Sequence, residues 1–339
     1  MRAVEVRGAF GLENLALVDR PEPVPGGGEV LLAMRAASLN YRDLLMVRGL
    51  YNRRQPLPLI PCSDGVGEVV ATGEGVTRVE VGDRVCGIFA QRWIAGRPTK
   101  ERVRSTLGGP LDGTLAERMV LSAEGVVKVP DHLSDGEAAA LPCAAVTAWN
   151  ALVTEGRLAA GETVLIQGTG GVSLFALQFA RLLGARPIVL SSSDDKLERV
   201  RALGAEAGIN YKETPEWGAR VKELTGGIGV DHVLEVGGAA TLPQSLQAVR
   251  LGGTVSLIGN LSGTNSEIAL TSIFMQRVRV QGILVGDRES FEAMNQAIAA
   301  ARLRPIVDRT FALDDARGAF DYLAASKAFG KIAVAIAPR

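Results

Sequence analysis

The sequence predicts an α/β protein of two domains, a barrel of short strands and a doubly wound parallel sheet, and three observations carry that reading. A chain of 339 residues exceeds one ordinary domain and suits two, each with a core of its own. Up to about Ser122 short apolar runs are broken by glycine and proline, whereas from Ser134 onward helical periodicity alternates with apolar strands. A glycine-rich run, Gly168-Thr169-Gly170-Gly171-Val172-Ser173, falls between an expected strand and an expected helix.

In the first part, strands are expected over residues 2–7, 15–19, 29–38, 67–72, 84–89 and 115–121, with one helix over 41–48. Strands this short in succession point to a barrel. Ser134-Asp-Gly-Glu137 has the spacing of a capping box, so a helix begins there. There follow strand 163–167, helix 172–183, strand 187–191, helix 196–203, strand 232–235, helix 242–249 and strands 254–258 and 278–285. Such alternation builds a parallel sheet through right-handed crossovers. Helices over 288–301 and 313–325 and a strand over 331–336 complete the chain. The expected domains are 1–124 with 287–339, and 125–286.

Composition excludes several function classes. Lysine plus arginine equals aspartate plus glutamate at 37 each, so no net field gathers nucleic acid or anionic membrane. No stretch approaches the roughly 18 apolar residues of a membrane span, and the start alternates like a strand instead of reading as a signal peptide. Three cysteines, Cys62, Cys86 and Cys143, are an odd number without Cys-x-x-Cys spacing, which fits a reducing cytoplasm. The expectation is a cytoplasmic protein whose partner is a small-molecule substrate.

The glycine run is a Rossmann fingerprint in its working context. Gly168 permits the tight turn, Gly170 lets the backbone approach a pyrophosphate at the helix N-terminus, and the small Ser173 replaces the third glycine. NAD sites place a carboxylate on the ribose about 20 residues after the first glycine. Here that region reads Ser191-Ser192-Ser193, followed by Lys196. Hydroxyls and an ammonium can donate to a 2′-phosphate, so NADPH is the expected cofactor. Asp194 and Asp195 could turn inward instead, but their position suits helix capping.

The order of motifs resembles the medium-chain dehydrogenase/reductase superfamily, in its zinc-free quinone oxidoreductase branch, over nearly the whole chain. Gly67-Glu-Val-Val-Ala-Thr-Gly73 and Gly82-Asp-Arg-Val85 are similar to its GroES-like barrel, and Leu133-Ser-Asp-Gly-Glu-Ala-Ala-Ala-Leu-Pro142 and Thr147-Ala-Trp-Asn-Ala-Leu152 to the start of its cofactor domain. The resemblance implies that Asn40 and Thr147 lie beside the nicotinamide and that Lys196 and Tyr211 contact the 2′-phosphate. It also implies that Val236, Gly259, Ile283 and Val285 belong to loops bracketing ribose and nicotinamide. Lys331, in Phe329-Gly-Lys331, either reaches the cofactor or stands solvated. Homodimers formed at the edge of the cofactor sheet are implied as well.

The zinc enzymes of this superfamily need cysteine and histidine ligands. Where they show Cys and Gly-His-Glu, this chain has Asn40 and Cys62-Ser-Asp64, and its only histidines, His132 and His232, lie elsewhere. No metal is expected. Polarisation of a carbonyl then falls to hydrogen-bond donors, which suits acceptors that spread negative charge, such as quinones and α,β-unsaturated carbonyls. Tyr51 matches an active-site tyrosine of the quinone reductases and is the candidate donor, with Asn40 the second catalytic candidate; Tyr51 reads equally as a packing tyrosine at a loop edge. Another family tyrosine is replaced by Leu45. The long basic segment 91–113 is either a lid or a solvated decoration with an oligomer contact. The alternatives to a quinone or enone reductase are an NADP-linked reductase of simple aldehydes or ketones, and an NADPH-binding protein with little turnover.

Overall fold

Short strands separated by glycine turns build the first unit of the computed structural model, which describes residues 1–336. They are β1 (Arg2–Val6), β2 (Leu15–Asp19), β3 (Glu29–Leu39), β4 (Asp64–Thr72), β5 (Arg84–Gly87), β6 (Arg118–Ser122) and β7 (Val126–Lys128). The second unit holds β8 (Thr163–Gln167), β9 (Arg186–Ser191), β10 (Ala207–Asn210), β11 (Val230–Glu235), β12 (Val249–Leu257) and β13 (Arg279–Gly282). The chain then returns to the first unit with β14 (Val307–Ala312) and β15 (Lys331–Ala335).

The eleven-residue β3 organises the first unit. One of its edges pairs with β4; the other is shared, Glu29–Ala33 pairing with β6 and Ala36–Leu39 with β15. The resulting seven-stranded sheet runs β14-β15-β3-β4-β5-β7, with β6 on β3. The β1–β2 ribbon joins through bridges from Ala3 to Ala116 and Val6 to Leu59. One core of Val4, Leu32, Met34, Val69, Leu115, Phe320 and their neighbours serves ribbon and sheet alike; burying side chains of this size is worth about 1.5–3 kcal/mol each.

In the second unit all neighbouring strands are parallel, in the order β10-β9-β8-β11-β12-β13. Its centre, β8, is buried at all five positions, as a strand covered on both faces must be. The chain passes outward from β8 to one edge and then from β11 to the other. The order therefore reverses between β8 and β11, the switch point outside which open α/β sheets bind ligands.

Contacts divide the chain at Val146/Thr147 and Val285/Gly286, the first later than the expected 124/125. The reason is that β7 pairs with β5 and the helix Asp135–Ala139 packs on β3 and β4, keeping residues 126–146 with the barrel strands. The last three residues of the expected first domain, 337–339, lie outside the described residues. After that helix the backbone winds as π-helix over Leu141–Ala145 and Asn150–Thr154, flanking one α-helical turn, Val146–Trp149. Three short strands, β7, β10 and β14, and the helices Lys100–Val103, Trp217–Leu224 and Thr271–Phe274 have no counterpart among the expected elements.

Candidate functional site

In the second unit the glycine loop is built as the fingerprint requires. Gly168 lies at φ 75°, the left-handed region open to glycine. Ser173 Oγ donates to the Gln167 carbonyl at 2.7 Å, tying helix Gly171–Leu182 to the end of β8. Gly170 is the N-cap and supplies no side chain, so the first N–H groups, around Gly171 and Val172, remain open to an anion. A Cβ added at Gly170 would meet nothing within 4 Å. Thr169, between the glycines, is buried.

At the end of β9, Ser191 Oγ accepts the Ser193 N–H, and Ser193 Oγ accepts the Lys196 N–H. Ser193 is thus the cap of helix Asp194–Ala202, and the two aspartates expected as caps sit in its first turn. Asp194 accepts from Asn210 Nδ2 at 3.0 Å. Asn210 ends the unexpected β10, and the Tyr211 N–H that follows donates to the Ser191 carbonyl at 3.1 Å. Ser191, Ser192, Ser193, Lys196 and Tyr211 are thereby gathered at the carboxyl ends of β9 and β10.

Sequence reasoning missed the network beneath the next loop. Glu235, fully buried at the end of β11, accepts from the Gly238 N–H at 2.8 Å, from Thr241 Oγ1 at 2.6 Å and from Gln167 Nε2 at 2.7 Å, and also from Ser245 Oγ. Gln167 Oε1 in turn accepts the N–H groups of Val236 and Gly237, each at 3.1 Å. A buried carboxylate this fully satisfied fixes its loop. The signal was a charged residue closing an apolar strand. Gly259 packs against that loop so closely that a Cβ would lie 2.4 Å from the Val236 carbonyl oxygen. Beyond β13, Ile283 N–H donates to Leu257 O, and Val285 adopts φ 46° with its carbonyl held by Asn150 Nδ2 at 2.8 Å. A β-branched residue there is strained by roughly 1–3 kcal/mol. Thr147 is buried three residues before that asparagine.

The first unit brings a second set together from four distant segments. Asn40 caps helix Tyr41–Val47 in a reciprocal box, its N–H donating to Asp43 Oδ2 at 2.8 Å. Lys331, on β15, is 3 % exposed and donates from Nζ to Leu39 O at 2.8 Å and to Asn40 Oδ1 at 2.6 Å. It also lies 3.5 Å from Asp64 Oδ2. The solvated alternative for Lys331 is therefore overturned: β15 pairs with β3 and carries the side chain inward. Asn40 Nδ2 reaches Ser63 Oγ at 3.4 Å, and Ser63 Oγ donates to Asp64 Oδ1 at 2.8 Å. The Cys143 N–H donates to Asp64 Oδ2 at 3.2 Å. Cys62, just before this pair, sits at φ 79° with its thiol against Ser38 O.

Burial pushes the Asp43 carboxyl up to about 6, against the opposing pull of the Arg42 guanidinium. Burial also raises the Cys62 and Cys143 thiols, so both remain protonated at neutral pH. A zinc ion, which the wider superfamily implies, does not fit this set: an ammonium points at the carboxylate, and among the described residues no three His, Cys, Asp or Glu side chains converge. His132 bonds Leu303 O and His232 bonds Glu162, both away from the cluster.

Tyr51 is 51 % exposed, and the Arg42 guanidinium stacks 5.0 Å from its ring centre and 5.1 Å from that of Phe89. Arg42 also donates to Leu107 O and Gly109 O, fastening the end of segment 91–113. That segment is ordered: Trp93 is buried with Nε1 on Gly96 O, and its carbonyl accepts from Arg288 N–H at 3.1 Å.

Family models for the alcohol dehydrogenase GroES-like domain and for zinc-binding dehydrogenase match residues 26–131 and 171–300. A zinc-type alcohol dehydrogenase-like protein of Schizosaccharomyces pombe is 44% identical over 315 residues, 91% of either chain. An NAD-dependent alcohol dehydrogenase of known structure superposes with TM-score 0.91 at 32% identity, covering 99% of this chain and 100% of its own. A 2-octenoyl-CoA carboxylase reductase solved with NADP and 2-octenoyl-CoA superposes with TM-score 0.89 at 27% identity, covering 98% of this chain and 87% of its own.

Proposed function

This chain belongs to the medium-chain dehydrogenase/reductase superfamily of oxidoreductases, and from that premise we propose that it passes hydride from NADPH to quinones or α,β-unsaturated carbonyls without a metal. The observation that carries this reading is the Lys331–Asn40 contact. With Oδ1 held by the ammonium, the Asn40 amide turns its N–H groups the other way, one toward Ser63 and one available to a substrate oxygen. An enolate or quinol oxyanion, whose charge is delocalised, needs less stabilisation than the localised alkoxide of a saturated ketone, so a neutral donor suffices for it.

NADPH supplies the hydride when bound. Residues 168–172 offer backbone N–H groups to its pyrophosphate, and Ser191, Ser192, Ser193, Lys196 and Tyr211 form the 2′-phosphate group. Asp194 accepts from Asn210 Nδ2, which holds its carboxylate at the end of β10. On the protein's side, the Asn40 amide would donate to the carbonyl oxygen of an enone, and the Tyr51 hydroxyl or water would return a proton to the enolate carbon. Two chains pair along the β13 edge, near which Leu270, Phe274 and Met275 are exposed; a monomeric mass by light scattering would refute this pairing.

The test is NADPH oxidation by metal-stripped protein against a benzoquinone, a naphthoquinone, an enal, an enone and a saturated aldehyde. Turnover confined to the first four supports the reading. Turnover of the saturated aldehyde alone, or dependence on added zinc, overturns it.

A further inference from the structure

Gln167 closes β8 immediately before the Gly168 turn, and its buried amide is engaged on both sides by the next strand's loop. Oε1 accepts the N–H groups of Val236 and Gly237, each at 3.1 Å, while Nε2 donates to Glu235 Oε2 at 2.7 Å and to Ser245 Oγ at 2.8 Å. Two donors and two acceptor lone pairs are thus all used, and only this orientation of the amide satisfies both sides. The Gln167 carbonyl accepts from Ser173 Oγ, so the same residue is tied through its main chain to the helix that follows the phosphate loop.

The connection continues to a third loop. The Gly237 carbonyl accepts from the Ser262 N–H at 2.7 Å and from Ser262 Oγ at 2.8 Å, and Ser262 Oγ accepts the Ala240 N–H at 3.0 Å. Gly238, at φ 90° with its N–H on Glu235, lies so close to this loop that a Cβ would stand 2.7 Å from Asn260 Cα. The loops after β8, β11 and β12 are therefore joined through one side chain each, those of Gln167, Glu235 and Ser262. Two consecutive glycines lose more backbone freedom on ordering than any other pair. Holding Gly237 and Gly238 in place before a ligand arrives removes that loss from the free energy of binding.

We propose that Gln167 is a positioning residue for the dinucleotide. It touches no part of the cofactor; it locks the 236–238 loop to the phosphate loop, so that both meet one molecule in a single arrangement. This role rests on the cofactor reading above and adds a residue outside the set assigned there. The 2′-phosphate group lies off this path, at the ends of β9 and β10, where Ser191 and Ser193 accept the backbone N–H groups of Ser193 and Lys196. Its share of the affinity is accordingly independent of Gln167.

The experiment measures dissociation constants of NADP⁺ and NAD⁺ for the whole protein by calorimetry at pH 6 and pH 8.5. Gln167→Met keeps the length of the side chain and removes both faces of the amide. Both constants should rise about tenfold, with their ratio held within about twofold, and the KM for NADPH should rise more than kcat falls. Gln167→Glu still accepts from Val236 and Gly237 but sets a second carboxyl against Glu235, whose other side-chain partners, Thr241 and Ser245, do not titrate. Two carboxyls so placed share one proton, so binding should weaken relative to the parent as pH rises and that proton leaves. The exchange Gln167→Glu/Glu235→Gln reverses the bond between the two side chains and the direction of the Ser245 hydroxyl while keeping every partner. It should bring both constants back to within about threefold of the parent at either pH. An exchange that binds no better than Gln167→Glu alone, or Gln167→Met with parental affinity, overturns the inference. A loss confined to NADP⁺ also overturns it, because Gln167 would then act at the 2′-phosphate. Should Gln167→Met fail to fold, the exchange decides alone. A parent that binds neither dinucleotide ends the cofactor reading and this role with it, whereas parental preference for NAD⁺ strikes the NADPH assignment and leaves the role of Gln167 standing on the variants' losses.

Discussion

The two candidate sites are built on opposite plans. In the second unit the nucleotide loops are backbone devices: Gly168 at φ 75°, the bare cap at Gly170, and Gly259 against Val236. In the first unit the site is a charged side-chain cluster, with Lys331, Asp64, Asp43 and Ser63 all buried. A backbone site is specified by conformation over a few consecutive residues. A charge cluster is specified by pairing, and each member depends on partners far along the chain. The first should respond to substitution through affinity, and the second through turnover and pH.

The largest effect that could break this contrast is at Lys331. Lys331→Met frees the Asn40 amide to rotate, and kcat should fall about 10²-fold while the NADPH dissociation constant moves less than about threefold; Lys331→Arg should restore part of kcat. Equal losses in kcat and NADPH affinity would place the lysine on the cofactor instead.

Next comes pH. The Asp43 carboxyl sits at about 6 in the fold, above its ordinary 3.8, so between those values the native state binds the proton more tightly than the unfolded chain. Unfolding free energy therefore drops as pH rises through that window, and the full cost, about 3 kcal/mol, is present above it. Urea unfolding at pH 4 and pH 7 should show the parent losing stability relative to Asp43→Asn by an amount of that order. A constant difference would mean that Asp43 titrates normally.

Gly170→Ala tests the other plan. The backbone there is at φ −81° and the added methyl meets no protein atom, so stability should fall only by the preference for glycine over alanine at an N-cap, about 1 kcal/mol or less. NADPH should bind about tenfold more weakly, because the open space is where the pyrophosphate comes close. Unchanged affinity would remove the loop from the phosphate site. Tyr51→Phe is the smallest effect: a fall of a few-fold in kcat, larger than any change in NADPH affinity. Unaltered turnover would leave the ring only its stacking role beside Arg42.

The same contrast decides what can be read in the sequence. The glycine loop and its flanking strand and helix are legible because turn chemistry and periodicity are local. Ser193 reads as a phosphate ligand, but its capping role needs the helix to start at Asp194, two residues before the expected boundary. Strand β10 escapes because Gly208 and Ala207 carry little strand propensity. The lysine cluster escapes for another reason. Lys331 and Asn40 are 291 residues apart, and only the pairing of β15 with β3 shows that the side chain turns inward.

That pairing also sets an order of events during synthesis. The edge of β3 over Ala36–Leu39 has no partner until residues 332–335 have been made, after the entire second unit. A newly made first unit therefore waits with an open strand edge and with the Asp64 carboxylate lacking its ammonium. Such an edge is prone to mispairing, and chaperone protection of the nascent chain matters most in this interval. The cluster around Asn40 closes only when the final strand docks.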